Sequence, residues 1–147
     1  MIKTLLLAGL CLTPNIYASK PKEPPRRSLF QAICKVESNN NRNAIGDNGN
    51  AVGIVQIWKI CVDDVNRIIG SEKYKYKDRL NVRKSQEMFC IYLTHYGNYY
   101  QKKTGRRATV AVLSAIWNSG PNGAEKLKTN KKVQAYVKKV KRVLASN

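Results

Sequence analysis

A helix that stops abruptly at a run of asparagines constrains the fold of this chain more than any other feature. Four residues recur at helical spacing and share one face: Phe30, Ile33, Cys34 and Glu37. The stretch "SNNNRNAIGDNGNAVG" then interrupts the pattern, and its Asn48-Gly49 pair is a strong tight-turn signal. The sequence therefore predicts a helix that ends near Glu37 and a small β-hairpin directly after it.

The glutamate at this helix end is a candidate for acid–base catalysis. A carboxyl group on an apolar face loses hydration, and this desolvation raises its pKa. A raised pKa is what a general acid needs near neutral pH, so Glu37 is a candidate for that role. Periodicity alone equally allows Glu37 to be a helix-end glutamate that faces water.

Helical signals continue along the rest of the chain. Ser28 and Gln31 form a capping box that opens the first helix. A second helix is expected to end at Gly70, and a third to run from a cap at Asn81 to a stop at Gly97.

Two more helices follow. The segment "ATVAVLSAIW" is apolar on most sides, which predicts a buried helix that "NSGPNG" terminates. The last helix places lysines and arginines opposite an apolar stripe of Val133, Tyr136, Val137, Val140 and Leu144. The expected fold class is therefore mainly α: a helical-bundle domain with one small β-hairpin.

The charge of the chain demands an explanation. The formal net charge is +18, from 27 Lys and Arg against 9 Asp and Glu. Such an excess repels itself and commonly reflects an anionic partner, such as nucleic acid, acidic lipid or an acidic wall polymer. A high-pI background without a specific partner is the alternative. No nucleic-acid-binding motif occurs, so we expect no nucleic-acid partner.

The N-terminus has the pattern of an export signal. Lys3 precedes the apolar run "TLLLAGLCLT", and Ala18 occupies the expected cleavage position. We therefore expect a signal peptide at 1–18, a basic Pro-rich linker at 19–27 and one domain at 28–147. The mature chain would begin at Ser19 and be exported, either periplasmic or secreted, without stable membrane insertion. An uncleaved anchor is the alternative reading of the same segment.

Cysteine and histidine usage gives little support to a metal site. Cleavage would leave Cys34, Cys61 and Cys90, which permit at most one internal disulfide in an oxidising compartment. The sequence does not determine the pairing; Cys61–Cys90 is favoured because Cys34 lies on the apolar face beside Glu37. There is no Cys-x-x-Cys pair, and His95 is the only histidine, so we expect no metal and no cofactor.

Four short motifs, taken in order, resemble the lysozyme-like superfamily. They are Glu37-Ser38, "GDNGNAVGIVQI" from Gly46 to Ile57, Tyr92-Leu93, and "WNSGP" from Trp117 to Pro121. Each motif is weak alone, but their shared order resembles soluble lytic transglycosylases, with some features of goose-type lysozymes. The resemblance covers about residues 28 to 145.

This resemblance implies a lysozyme-like cleft that binds peptidoglycan, and it assigns roles to particular residues. Glu37 matches the family's catalytic glutamate, the proton donor to the bond between N-acetylmuramic acid and N-acetylglucosamine. Positions that hold the glutamate or the sugars are matched by Ser38, Gln56, Tyr92 and Asn118. Trp117 stands where the family usually has tyrosine, and Ser119 where it has alanine or glycine; Trp117 is nevertheless a candidate substrate-binding residue.

The second carboxylate, Asp47, leaves two reactions open. Lytic transglycosylases use a single glutamate, because the muramic 6-hydroxyl attacks intramolecularly and closes a 1,6-anhydro ring. Goose-type lysozymes carry an aspartate in a "GD-x-GN" turn that is thought to position water for inverting hydrolysis, and "GDNGN" carries Asp47 there. Aspartate is also a routine turn residue, so Asp47 is a catalytic candidate and a turn candidate at once. We favour the transglycosylase, because Asn48-Gly49 already accounts for an ordinary turn.

One rival class keeps the fold but not the reaction. A cationic protein could bind the cell wall without cutting it, although this chain retains Glu37. The basic last helix is expected to present the wall-facing charge, with a plain solvated face as the alternative. We expect the protein to act as a monomer on peptidoglycan.

Overall fold

The computed structural model describes residues 26–146 and confirms a mainly α architecture with one small β element. The helices are α1 (Arg26–Ser38), α2 (Lys59–Ile69), α3 (Val82–Thr104), α4 (Val110–Ser119), α5 (Gly123–Thr129) and α6 (Lys131–Ala145). Strands β1 (Ile45–Gly46) and β2 (Ala51–Val52) form the hairpin, and a short 3₁₀ helix, Tyr76–Leu80, precedes α3. The expected signal peptide, residues 1–18, and residues 19–25 of the expected linker lie outside the described residues.

The hairpin is antiparallel and very short. Ile45 pairs with Val52 and Gly46 pairs with Ala51, and the 3₁₀ turn Asp47–Gly49 connects the two strands. Asn48 within this turn adopts a left-handed backbone conformation (φ 53°), which asparagine tolerates better than most residues. The expected helix, break and hairpin are therefore confirmed.

A main hydrophobic core and a small second cluster between α4 and α6 join the helices. α6 packs on α1 and α4, while α2 and α4 pack on α3. The fully buried side chains of the main core include Leu29, Ile33, Phe89, Leu93, Ile116 and Val140. Because α1 and α6 share this core, the end of the first helix and the middle of the last helix are brought side by side.

Several expected helix boundaries are confirmed. Gly70 follows α2 in a left-handed conformation (φ 68°), which glycine adopts without a steric penalty. The Asn81 side chain accepts a hydrogen bond from the Lys84 backbone N–H at 3.1 Å and caps α3. Gly120 follows α4, as the "NSGPNG" segment predicts.

Two predicted boundaries were wrong. α1 begins at Arg26, so Ser28 lies inside the first turn instead of capping the helix. Gly97 does not end α3, which continues to Thr104 and stops at Gly105 (φ 69°). Gly97 is instead a close-packing position, because an added Cβ would lie 3.1 Å from Cδ2 of Leu113 on α4. The short helix α5 was not expected from the sequence.

The favoured Cys61–Cys90 disulfide was also wrong, because Cys61 carries a free thiol. Cys61 and Tyr92 line the same cleft. Cys90 precedes Tyr92 by two residues on α3, and two residues on a helix point to nearly opposite sides. The face of α3 that meets Cys61 is therefore not the face that carries Cys90.

Within residues 26–146, every helix is too short or too polar to cross a membrane. His95 is exposed on α3 and meets the edge of the Tyr96 ring, with the ring centroids 4.8 Å apart. This position agrees with a surface helix residue.

Candidate active site

A cleft of about 630 Å³ lies between the hairpin, the start of α2, the middle of α3 and the end of α4. Six of the seven site residues expected from the sequence line it: Glu37, Asp47, Gln56, Tyr92, Trp117 and Asn118. The seventh, Ser38, is not among the lining residues. Trp58, Ile60 and Cys61 also line the cleft and were missed, since no motif marks them as site residues.

Glu37 combines partial burial with a single strong hydrogen bond. It lies in the last turn of α1, and Tyr136 of α6 donates its hydroxyl proton to Glu37 Oε1 at 2.7 Å. Burial raises the pKa of Glu37 most strongly; the Tyr136 hydrogen bond acts in the opposite direction, and the negative charge of Asp47 adds to the increase. The net effect is a raised pKa, as the apolar helix face predicted.

Tyr136 is the main site residue that the sequence analysis missed. Its position on the apolar stripe of α6 was predicted, but only as part of the core. Burial raises the pKa of its hydroxyl group well above the ordinary value, and the neighbouring Glu37 carboxylate adds to this increase. Tyr136 therefore stays protonated and remains a donor to Glu37. A lone hydroxyl on an otherwise aliphatic stripe was the signal that could have identified it.

Ser38 supports the cleft from behind. Its single hydroxyl proton is donated to the backbone carbonyl of Ile54 at 2.7 Å, with the carbonyl of Cys34 also within reach at 3.2 Å. The bond to Ile54 joins the end of α1 to the loop that follows the hairpin. Ser38 thus fixes the position of its neighbour Glu37 relative to the loop that follows the hairpin.

Gln56 organises the hairpin side of the cleft. Its backbone is left-handed (φ 52°), and its Nε2 donates to the carbonyls of Gly53 at 2.9 Å and Ala44 at 3.2 Å. A Cβ at Gly46 would lie only 2.4 Å from Gln56 Oε1, so any side chain at this position would require Gln56 to shift. Close packing against this glutamine therefore accounts for the first glycine of the "GD…G-aliphatic-aliphatic-Q" pattern.

Aromatic rings form the opposite wall. Trp117 packs on Phe89, with the ring centroids 4.7 Å apart, and meets Tyr92 edge to face at 5.9 Å. The Trp117 Nε1–H donates to the Val55 carbonyl at 3.3 Å, which ties α4 to the loop after the hairpin. Tyr92 is 7% exposed and presents that surface to the cleft. Such flat, partly polar walls suit sugar rings, which offer both apolar faces and hydroxyl groups.

Asp47 and Asn118 occupy the rims. Asp47 is exposed on the hairpin turn, in a left-handed conformation (φ 47°). Its backbone carbonyl accepts the Asn50 side-chain N–H at 2.9 Å, which closes the turn locally. Asn118 ends α4 beside Ser119, whose hydroxyl lies 3.3 Å from the Asn118 Oδ1.

The cleft does not end at Tyr92. A second, mainly apolar groove of about 580 Å³ shares Ile60, Cys61, Tyr92 and Gly120 with it and continues towards Pro121. The two adjoining depressions extend the cleft, and their half-buried carboxyl groups are Glu37 and Asp64, of which Asp64 is already bonded to Arg67 and Tyr96. This shape fits an extended polymer better than a small molecule.

A mainly helical domain with a small hairpin and a glutamate at the cleft defines the lysozyme-like class of wall-cleaving proteins. The sequence model of one family in this class, described as Transglycosylase SLT domain, matches residues 15–140. The chain therefore belongs to the transglycosylase SLT domain family, which makes it a peptidoglycan-cleaving enzyme that acts on the cell wall. A comparison with curated proteins found no match.

Proposed function

We propose that Glu37 is the general acid and base of a lytic transglycosylase that cuts the β-1,4 bond between N-acetylmuramic acid and N-acetylglucosamine. The observation that carries this proposal is the half-buried Glu37 carboxyl group in the cleft, with its pKa raised by burial. A protonated carboxyl near neutral pH is the group that the first chemical step requires.

The reaction proceeds in two proton transfers. Glu37 first gives its proton to the glycosidic oxygen, and the bond from that oxygen to muramic C1 breaks. The Glu37 carboxylate then takes the proton of the muramic 6-hydroxyl while that oxygen attacks C1 and closes the 1,6-anhydro ring. Glu37 ends the cycle protonated, so water is not consumed.

Other residues of the cleft hold the reacting groups. Tyr136 keeps Glu37 in a fixed orientation through its 2.7 Å hydrogen bond, and it favours the carboxylate that must form after the first step. Gln56, Asn118 and the faces of Tyr92 and Trp117 bind the sugars. The chain acts after export, as a monomer that binds peptidoglycan.

A hydrolase with Asp47 as the water-positioning base is the second candidate, supported by the presence of Asp47 at the cleft rim. Two observations favour the single-glutamate reaction. Asp47 is exposed, and it occupies a left-handed turn position that aspartate adopts for backbone reasons.

Mass analysis of the products from purified peptidoglycan separates the two reactions, because an anhydro end is one water lighter than a reducing end. We expect anhydro ends, and Asp47→Asn should keep activity within a few fold, since asparagine suits the same turn. Reducing ends, together with a loss on the order of 10² to 10⁴ in rate for Asp47→Asn, would identify a lysozyme instead.

Glu37→Gln tests the acid itself. Glutamine keeps the size and the hydrogen bond from Tyr136 but has no proton to give, so wall lysis should be lost while the fold is retained. Glu72→Gln is the matched control, because Glu72 has a highly exposed side chain and lies outside the cleft. Near-normal clearance of wall suspensions by a folded Glu37→Gln variant would mean that the protein does not use this carboxyl, whereas absence of clearance by the parent itself would indicate a wall-binding protein on the same fold.

A further inference from the structure

The outer surface of α6 carries a charge that the catalytic cleft does not use. Six basic side chains of this helix are exposed: Lys131, Lys132, Lys138, Lys139, Lys141 and Arg142. We call these six residues the basic face. Among the described residues, none of the six forms an ion pair.

Acidic residues are absent from this end of the chain. Glu125 is the last carboxylate of the sequence, and it already pairs with Lys103 at 2.6 Å. By contrast, the described ion pairs other than this one join residues between Asp64 and Glu87, where carboxylates lie among the basic side chains. The positive charge is therefore partly paired within α2, the 3₁₀ helix and α3, but it is unpaired on α6.

This arrangement costs stability in the free protein. Lys138 and Arg142 are four residues apart, a spacing at which like charges repel on a helix. Lys131 and Lys132 lie in the first turn of α6, where the helix dipole disfavours positive charge. An anionic partner that lies along the helix would relieve both effects.

The basic face has the shape of a stripe. Lys131, Lys138 and Arg142 follow each other at intervals of seven and four residues, so they form one line roughly 16 Å long. The opposite side of α6 is packed in the core through Val133, Val137 and Val140. α6 therefore has no free apolar face to insert into a lipid bilayer, and binding through its exposed side must be electrostatic.

We propose that the basic face binds the carboxylate-bearing stem peptides of a peptidoglycan strand other than the one held in the cleft. The identity of this polymer rests on the proposed function, because peptidoglycan is the one anionic polymer that the enzyme must meet. Lysine predominates on the face, and its point charge suits closely spaced carboxylates without a fixed geometry.

The second site is separate from the first. Tyr136 and Lys138 are two residues apart on α6, so they point to nearly opposite sides of the helix. Tyr136 contacts Glu37 in the cleft, whereas the residues of the basic face are exposed to solvent. A strand bound there anchors the enzyme to the wall and leaves the cleft free for cutting.

The test measures the amount of protein that sediments with purified peptidoglycan sacculi, in a Glu37→Gln background that keeps the sacculi intact. Lys131→Gln, Lys138→Gln and Arg142→Gln are combined in one variant. The loss of three exposed ion pairs should weaken binding on the order of tenfold at low salt. The matched control combines Lys77→Gln, Arg106→Gln and Arg107→Gln, which removes the same charge from exposed positions outside α6 that form no described ion pair. The control should bind almost as well as the parent.

Two treatments of the sacculi identify the ligand. Amidation of the peptide carboxylates should abolish the difference between the α6 variant and the control, whereas removal of phosphodiester polymers should leave it unchanged. Equal weakening by both variants would refute a dedicated face. Loss of binding only after removal of phosphodiester polymers, or preferential binding of the parent to anionic lipid vesicles, would refute the assigned ligand. Solubilisation of sacculi in the Glu37→Gln background would instead contradict the proposed function, and it would be visible as clearing of the suspension.

Discussion

Replacing Tyr136 with phenylalanine should change how the enzyme responds to pH. The ring and its packing remain, and only the hydroxyl that donates to Glu37 Oε1 at 2.7 Å is lost. A hydrogen bond to a charged group contributes roughly 1.5–3 kcal/mol, and one to a neutral group roughly 0.5–1.5 kcal/mol. Glu37 is only partly buried, so we take the lower end for the ionised carboxylate and expect Tyr136→Phe to lower the free energy of unfolding by about 1.5 kcal/mol above the pKa of Glu37.

The direction of the pH effect follows from the same bond. The Tyr136 hydroxyl lowers the pKa of Glu37 because it stabilises the ionised carboxylate. Without this hydroxyl, Glu37 should hold its proton to higher pH. The basic limb of the pH profile of kcat/KM should therefore move to higher pH. The cost in unfolding free energy should be larger above the pKa of Glu37 than below it, since the neutral acid needs the donor less.

Wall-suspension clearing rates from pH 4 to 9, with denaturant unfolding at both ends of that range, measure these two effects. Tyr100→Phe is a suitable control, because Tyr100 is partly exposed at the far end of α3. A basic limb that stays in place or moves downward in Tyr136→Phe would refute the assigned hydrogen bond. An equal loss of stability at low and high pH would do the same.

Two further predictions concern the frame of the cleft. Gly53→Ala should lower the free energy of unfolding by roughly 2–5 kcal/mol, because its Cβ would lie 1.9 Å from the Arg79 carbonyl oxygen and its φ is 85°. The control is Gly49→Ala, whose added Cβ meets no atom within 4 Å and should cost only the backbone strain of about 1–2 kcal/mol. Equal losses of stability in the two variants would contradict the close approach of Gly53 to Arg79. Added reductant should leave Tm unchanged, because Cys34 and Cys61 are both free, whereas a drop in Tm would indicate a disulfide.

Local patterns in the sequence were sufficient for much of the fold. The asparagine break after Glu37, the hairpin around Asn48 and the caps at Gly70 and Asn81 were predicted because each depends on the backbone preferences of adjacent residues. Gly97 was wrongly predicted to end the helix because its role depends on tertiary packing. The missing side chain lets α4 approach α3, and a single glycine in a helix resembles a helix end until the neighbouring helix is known.

The candidate site shows the same division. Glu37 and the residues around Gln56 could be found from motifs that are contiguous in sequence. Tyr136 could not, because its importance depends on the packing of α6 against α1, and periodicity treats a buried tyrosine like any other apolar residue. Cys61 was assigned to the wrong partner for a related reason, since three cysteines on helices do not reveal which faces meet.

The bond between Tyr136 and Glu37 joins positions 99 residues apart, so the two halves of the acid site are made at very different times. A ribosome completes α1 long before it reaches α6, and a chain cut anywhere between these helices has the carboxyl group without its donor. The hydrogen bond that orients Glu37 thus requires the last helix to dock, a contact of high sequence separation. Under the proposed function, the acid is therefore held in its orientation only once α6 has been made and has packed on α1.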